Sequence, residues 1–395
     1  ENKIKEKPIH FGKIMVICDI LNNKYEEAKL GLALLKEQNS PGDVFFIELA
    51  FSLMSENNIS ESDYLKKTLD QIKQLNPVVM TSLQFADISP NFEQIENLST
   101  SGLLFVLSNP SVETDLKIYC AELLVKQGRI NYEMLSEAYQ LPRYDNKEIE
   151  NALNLYKTLA PVKARPLLYQ SILRDENPDS KYLKIKAFLK LSVNEKLFRN
   201  ISNLIDELMP LNRLNEYVKS KEDTILFSKM FQANKKFYEA KKILSKIDNI
   251  PEKQISEVLV DLSQFLSSQN INFSVLEGNL SDLATSKDLD SEILHKAILV
   301  MLVNMDLNQS LKKTLQSFRI LESEKSNSID LTNLFFAEKF SNEGDYFNSI
   351  NIFFSILGNK SFSELSLIEN FAALLILKNL GFNEELRELS QNILL

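Results

Sequence analysis

The amino-acid sequence predicts an all-α fold, an α-solenoid of stacked antiparallel helix pairs. Three observations carry that prediction. Apolar residues recur at i, i+3, i+4 and i+7 along most of the chain, prolines punctuate the gaps between such runs, and one type of helix-to-helix corner returns at wide, near-regular intervals. The bulk composition agrees: of 395 residues 44% are hydrophobic, only 9 are Gly and none is Trp. No segment alternates Val, Ile and Thr as a sheet would require.

Taken in order, residues 1–10 (ENKIKEKPIH) read as a polar N-terminal tail. A charged start without Met is what remains when a signal peptide or an expression leader has been removed. The expected location is therefore the periplasm or cell envelope, with the cytoplasm as the alternative. Residues 11–75 form N-terminal helical repeats closing on LKKTLDQIKQL (65–75), and 76–140 an irregular helical segment interrupted by Pro77, Pro90 and Pro110. Central helical repeats occupy 141–250, with EIENALNLYKTLA (148–160) and RNISNLIDELM (199–209) as amphipathic helices. C-terminal repeats run over 251–395, through SEVLVDLSQFL (256–266) to LLILKNLGFNEELRELSQNILL (374–395). Pro41, Pro142, Pro161, Pro178, Pro210 and Pro251 fall between the runs, where a helix stops or a new one opens at its first turn. Ser60-Glu61-Ser62-Asp63 and Ser363-Glu364 supply capping oxygens for the turns that follow.

The recurring corner appears in ILNNKYEEAKLGLALL (20–35), LVKQGRINYEMLSEAY (124–139), FQANKKFYEAKKILSK (231–246), FSNEGDYFNSINIFFS (340–355) and LKNLGFNEELRELSQN (377–392). Each has an apolar helix end, a Gly or Asn suited to a left-handed C-cap, an apolar or aromatic residue, and a new amphipathic helix. With Asn23, Gly128, Asn234, Gly344 and Gly381 as markers the intervals are 105, 106, 110 and 37. The first three are close to three multiples of about 35–37 residues, the length of a helix-pair repeat.

That period and those corners resemble tetratricopeptide repeats. Phe231, Phe237, Ala240, Leu244 and Pro251 fit the family frame, as do Phe336, Ala337, Phe340, Tyr346 and Phe353, and Tyr25 with Ala28. The resemblance implies that the aromatic residue follows the turn and that Ala sits three residues later, where the two helices touch. Departures are Ser228 and Val16 at a position usually held by a small residue, the lack of Trp, and a poor match over 76–118. A narrower resemblance, centred on LPRYDNKEIENALNLYKTLAPVKARPLLYQSIL (141–173), is to an uncharacterised alphaproteobacterial family of repeat proteins, some of which carry an export signal. It implies no site.

Sites of chemistry are sparse. Glu292 and His295 have the Glu-x-x-His spacing of di-iron bundles, but no second such pair exists, and His295 is expected on a helix surface. Cys18 and Cys120 lie among apolar residues and are expected as two small buried hydrophobes. There is no G-x-S-x-G elbow, Cys-x-x-Cys, Walker loop or G-x-G-x-x-G. Gly358-Asn359-Lys360-Ser361 lacks the upstream Gly of a phosphate loop, and Asp288 and Asp290 read as a solvated helix start. No catalytic, metal or cofactor site is expected.

The net charge of −9 opposes sequence-independent binding of nucleic acid, and no run of eighteen apolar residues spans a membrane. Lys235, Lys236, Lys241, Lys242 and Lys246 are expected to spread over an outer face. The adjacent pairs Phe335/Phe336 and Phe353/Phe354 are expected on helices contacted from two sides. The expected function is a non-catalytic scaffold or adaptor that binds another protein. The alternatives are a helical accessory domain of a cell-envelope enzyme and a structural subunit of an envelope or appendage assembly. The residues expected to build the repeat corners are Tyr25, Ala28, Gly128, Phe237, Ala240, Gly344, Tyr346 and Gly381.

Overall fold

The computed structural model describes residues 9–35, 41–55, 63–72, 75, 79–80, 83, 88–110, 112–193, 197–208, 216–248, 251–267, 275–276, 278–280, 283, 292–304, 328–357 and 365–394. Among these the regular structure is helical and no strand occurs. The chain divides into two compact units, Glu1–Arg174 and Asp175–Leu395, a boundary that falls inside the 141–250 block. Unit 1 contains α1 (Ile9–Leu21), α2 (Tyr25–Leu35), α3 (Pro41–Met54), α4 (Asp63–Asp70), α5 (Phe92–Glu96), α6 (Thr100–Ser108), α7 (Thr114–Lys126), α8 (Tyr132–Tyr139), α9 (Asn146–Glu150), α10 (Ala152–Leu155) and α11 (Pro161–Arg174). Unit 2 contains α12 (Pro178–Val193), α13 (Phe198–Leu208), α14 (Lys221–Ala233), α15 (Phe237–Leu244), α16 (Pro251–Leu266), α17 (Glu292–Asn304), α18 (Ser328–Asn342), α19 (Tyr346–Leu357), α20 (Leu367–Asn379) and α21 (Asn383–Leu394).

Five helix pairs turn on the same backbone device. Asn23, Gly128, Lys235, Gly344 and Gly381 have φ of 59°, 65°, 58°, 71° and 79°, and no other described residue is left-handed. At each, two N–H groups reach back into the ending helix. Lys235 N–H donates to the Gln232 carbonyl at 3.0 Å and Lys236 N–H to that of Phe231 at 2.8 Å; Gly381 and Phe382 repeat the pattern to Lys378 and Leu377 at 3.1 and 2.9 Å. This double bond closes carbonyls that the helix end leaves without a partner. The third corner corrects the sequence reading, because Asn234 stays right-handed and Lys235 makes the turn. The Asn234 amide is occupied elsewhere: its Nδ2 donates to the Met230 carbonyl at 3.1 Å and to the Ser202 carbonyl of α13 at 3.0 Å.

The corner fixes which residues meet. Seven positions before the left-handed residue stand Val16, Ala121, Ser228, Ala337 and Leu374, all buried. Five positions after it stand Ala28, Ala240, Ser349 and Leu386, also buried; α8 starts two residues later than the others and presents Leu135 instead. The Ser228 hydroxyl lies 3.5 Å from the Ala240 carbonyl, so small residues here let the α14 and α15 backbones approach. In the first pair Val16 is large, and Gly31 makes the room: a Cβ there would lie 2.6 Å from Val16 Cγ2.

Each unit has its own buried polar connections. In unit 1 α7, α8 and α11 meet around Glu122, which accepts from Arg165 Nε at 2.7 Å, from Arg165 Nη2 at 2.5 Å and from the Tyr139 hydroxyl at 2.9 Å. All three side chains are almost completely buried. In unit 2, α14 packs on α15 and α16, and α18 on α19 and α20. Helix α21 then returns to α16 and α17, where Gln391 Nε2 donates to Ser267 Oγ at 3.0 Å and Asn304 Nδ2 to Ser390 Oγ at 2.8 Å. A linear repeat array contacts only successive neighbours. The return of α21 is a closure that helical periodicity does not encode.

Two predictions follow from this packing. Ala240→Asp places an unpaired carboxylate in the α14/α15 seam and is expected to cost about 3 kcal/mol or more, whereas Lys242→Ala on the exposed face costs within about 0.5 kcal/mol. Chemical denaturation checks the order. In the same assay Glu122→Gln, which strands the Arg165 guanidinium, is expected to cost about 3–5 kcal/mol, and the apolar double variant Glu122→Leu/Arg165→Met clearly less.

Candidate functional site

Two surface features of unit 2 stand apart from ordinary packing. The first is the outer face of the α18/α19 pair. Ser349 and Ile356 of α19 are buried, and Ile352, Phe353 and Leu357 pack on a core of Ala337, Leu365, Ala372, Ile376 and Leu380. The opposite face carries Phe347, Ile350 and Phe354, spaced three and four residues apart and therefore in one stripe. Phe347 is 74% exposed and Phe354 64%; Tyr346 and, on α18, Phe335 are exposed as well. As expected, α18 and α19 are each contacted by two helices, yet each adjacent aromatic pair leaves one ring, Phe335 and Phe354, exposed. Neighbours on a helix lie about 100° apart, so two contacting helices need not cover both rings.

The aromatic residues that follow the corners diverge for the same reason. Phe237 is buried between α14 and its neighbours, Tyr25 is half-buried with its hydroxyl donating to Asn23 Oδ1 at 3.0 Å, and Tyr346 is exposed. Gly128, Gly344 and Gly381 serve the backbone alone, since a Cβ at any of them would meet nothing within 4 Å.

The second feature is a niche beside the Asn234-Lys235-Lys236 corner. Arg199 of α13, Gln232 and Lys235, Ser263 and Ser267 at the end of α16, and Gln391 of α21 line it, against the ring of Phe237. It holds about 10 Å³, room for roughly one water. Gln232 Nε2 donates to Ser263 Oγ at 2.6 Å, and Arg199 Nη1 donates to Asn392 Oδ1 at 2.8 Å. The expected outer-face lysines separate here by their partners. Lys236 Nζ lies 2.6 Å from Asp206 and Lys241 Nζ 2.5 Å from the buried Asp261, while Lys242 and Lys246 are exposed. Arg199 and Lys235 have no carboxylate within salt-bridge distance among the described residues. Lys235 also carries a side chain through the left-handed region, at a cost of about 1 kcal/mol relative to Gly.

Other candidates take different places. His295 is buried on α17, contrary to its expected surface position, and the Glu292 side chain lies outside the described residues. Asp288, Asp290 and the 358–361 stretch also lie outside them. Among the described residues no three His, Cys, Asp or Glu side chains group as a metal site would require, and no helix is long and apolar enough to cross a membrane. Cys120 is buried and burial pushes its thiol up to about 12, whereas Cys18 is exposed rather than buried; both are free thiols. Cys18 sits on the solvent side of α1, opposite the stripe of Val16 and Ile20.

A paired-charge cluster lies at the α12/α14 contact. Burial alone would raise the Asp223 carboxyl, but the ammonium of Lys186 at 2.7 Å, Ser220 and the Tyr182 hydroxyl at 3.0 Å outweigh it and hold the group below its ordinary range. Tyr182 is pushed up by burial and by the same carboxylate, and it stacks between Tyr217 and Phe227 at 5.7 and 5.4 Å. These contacts satisfy one another and leave no open face for a ligand.

No family model, curated protein or solved structure matches this chain.

Because Asp223 titrates lower in the folded chain than its unfolded value of 3.8, its contribution is complete above that pH and is lost as pH falls through the folded value. The stability gap between the parent and Asp223→Asn is therefore expected to be widest near neutral pH and to narrow below about pH 4. Urea denaturation of both chains across that range measures it; a gap that is constant with pH contradicts the pairing.

Proposed function

We propose that this chain is a non-catalytic, tetratricopeptide-like scaffold of helix pairs that binds another protein through the outer face of α18/α19. One observation carries the reading: Phe335, Tyr346, Phe347, Ile350 and Phe354 stand exposed together on one helix pair. A solvated helix face is ordinarily polar, and apolar area grouped this way marks a surface awaiting a partner. Aromatic side chains bring large contact area with few rotors to fix, which is why they dominate the energetics of protein interfaces. An amphipathic helix laid along the 347–350–354 stripe would bury these rings as an added repeat does. The repeated corner supports the stacked-pair architecture.

The reading is tested by placing a photo-crosslinking residue at 347, at 354 and, as a control, at 242, then irradiating cells that produce each chain. Adducts of one defined mass are expected from 347 and 354 and not from 242. They should vanish when Phe335→Glu is added to a chain whose circular dichroism is unchanged. Equal labelling from 242, or none from the stripe, counts against the proposal.

A further inference from the structure

We infer that the niche between α13, the α14/α15 corner and α21 is a binding site for a small phosphoryl oxyanion, either free phosphate or the terminal group of a small phosphate monoester. It is separate from the α18/α19 face and does not depend on the scaffold reading. Three residues with donors to spare line it from distant parts of unit 2: Arg199, Lys235 and Gln391. Arg199 uses one N–H on Asn392, and Gln391 uses one on Ser267. A guanidinium has five N–H donors and an ammonium three, so most of this capacity is left for a ligand.

The local charge pattern favours an anion here. In a chain of net charge −9 the neighbouring Lys236 and Lys241 each lie against a carboxylate, and Arg199 and Lys235 do not. Among the described residues no carboxylate lines the niche. Two uncompensated cations in a concave, partly desolvated site attract an anion more strongly than they would on open surface.

The backbone gives independent support. Of the five left-handed corner residues four are Gly or Asn, which tolerate that conformation, and the fifth is Lys235. A strained lysine at the one corner that borders a polar niche points to a use for its ammonium. The ligand class follows from the donor set: a guanidinium, an ammonium and an amide offer more donors than the two oxygens of a carboxylate accept, and suit a phosphoryl group with one oxygen in the niche and the others at its mouth. The niche admits about one oxygen, so the rest of the ligand stays at its mouth.

The test is a ³¹P NMR titration of the full chain with inorganic phosphate and with phenyl phosphate at constant ionic strength, with acetate as competitor. Saturable binding below about 10 mM is expected, only weakly displaced by acetate. Binding of both ligands identifies a terminal phosphoryl group; binding of phosphate alone identifies the free anion. Affinity should fall about tenfold or more in Lys235→Gly and in Arg199→Gln, and stay unchanged in Lys242→Ala. Lys235→Gly is decisive because glycine relaxes the left-handed residue, so its Tm should equal or exceed the parent's and lost binding cannot be assigned to unfolding. Parent-like affinity in Lys235→Gly, displacement by equimolar acetate, or no saturable binding by the parent overturns the inference.

Discussion

The packing of this protein depends on one backbone constraint, the single left-handed residue that ends the first helix of each of five pairs. Once that residue is set, the two N–H groups that bond back into the helix fix the exit direction of the chain. The next helix must then lie against the last, with its contact points at set distances in sequence. Hence the small or well-shaped residues seven before and five after the turn, from Ala121 to Ala240 and Ser349. Where one is oversized, as with Val16, its neighbour Gly31 gives way. The seam is closed by complementary volumes rather than by any one residue type.

Around these seams the units bury polar groups in matched sets. The fork of Arg165 on Glu122 joins α11 to α7, and the hydroxyl of Tyr139 brings in α8. Such a set adds little net stability over an apolar one, but a wrong register would leave a buried charge without its partner. Lys184 with Asp175 at 2.6 Å and Lys186 with Asp223 act likewise in unit 2. Polar bonds also tie α21 to residues 86 to 193 positions away, through Gln391, Asn392 and Ser390. By returning to α16 and α17, α21 completes the polar niche that borders the third corner.

The two surface features have opposite chemistry. The α18/α19 face is aromatic and exposed; the niche is small, polar and bordered by two cations, Arg199 and Lys235.

The helical class, the positions of most turns and the small residues at the seams were legible in the sequence, because a 3.6-residue period and a left-handed Gly or Asn act over a few residues. The three corner glycines could be named from the recurring corner, and Ala28 and Ala240 from the resemblance to tetratricopeptide repeats. The sequence could not reveal that Lys235 rather than Asn234 makes the third turn, since that depends on the Ser202 carbonyl of α13 capturing the Asn234 amide. Nor could it show that Cys18 faces solvent, that His295 is buried, or that Phe335 and Phe354 point outward, since a helical pattern marks an apolar side without saying which neighbour covers it. The niche was hidden for a related reason: Arg199, Lys235 and Gln391 share no local pattern. Local backbone and volume rules determined the helices and their corners. The tertiary structure alone decided which faces stay open and which distant side chains meet, because those follow from where α21 returns and where, among the described residues, no further helix packs.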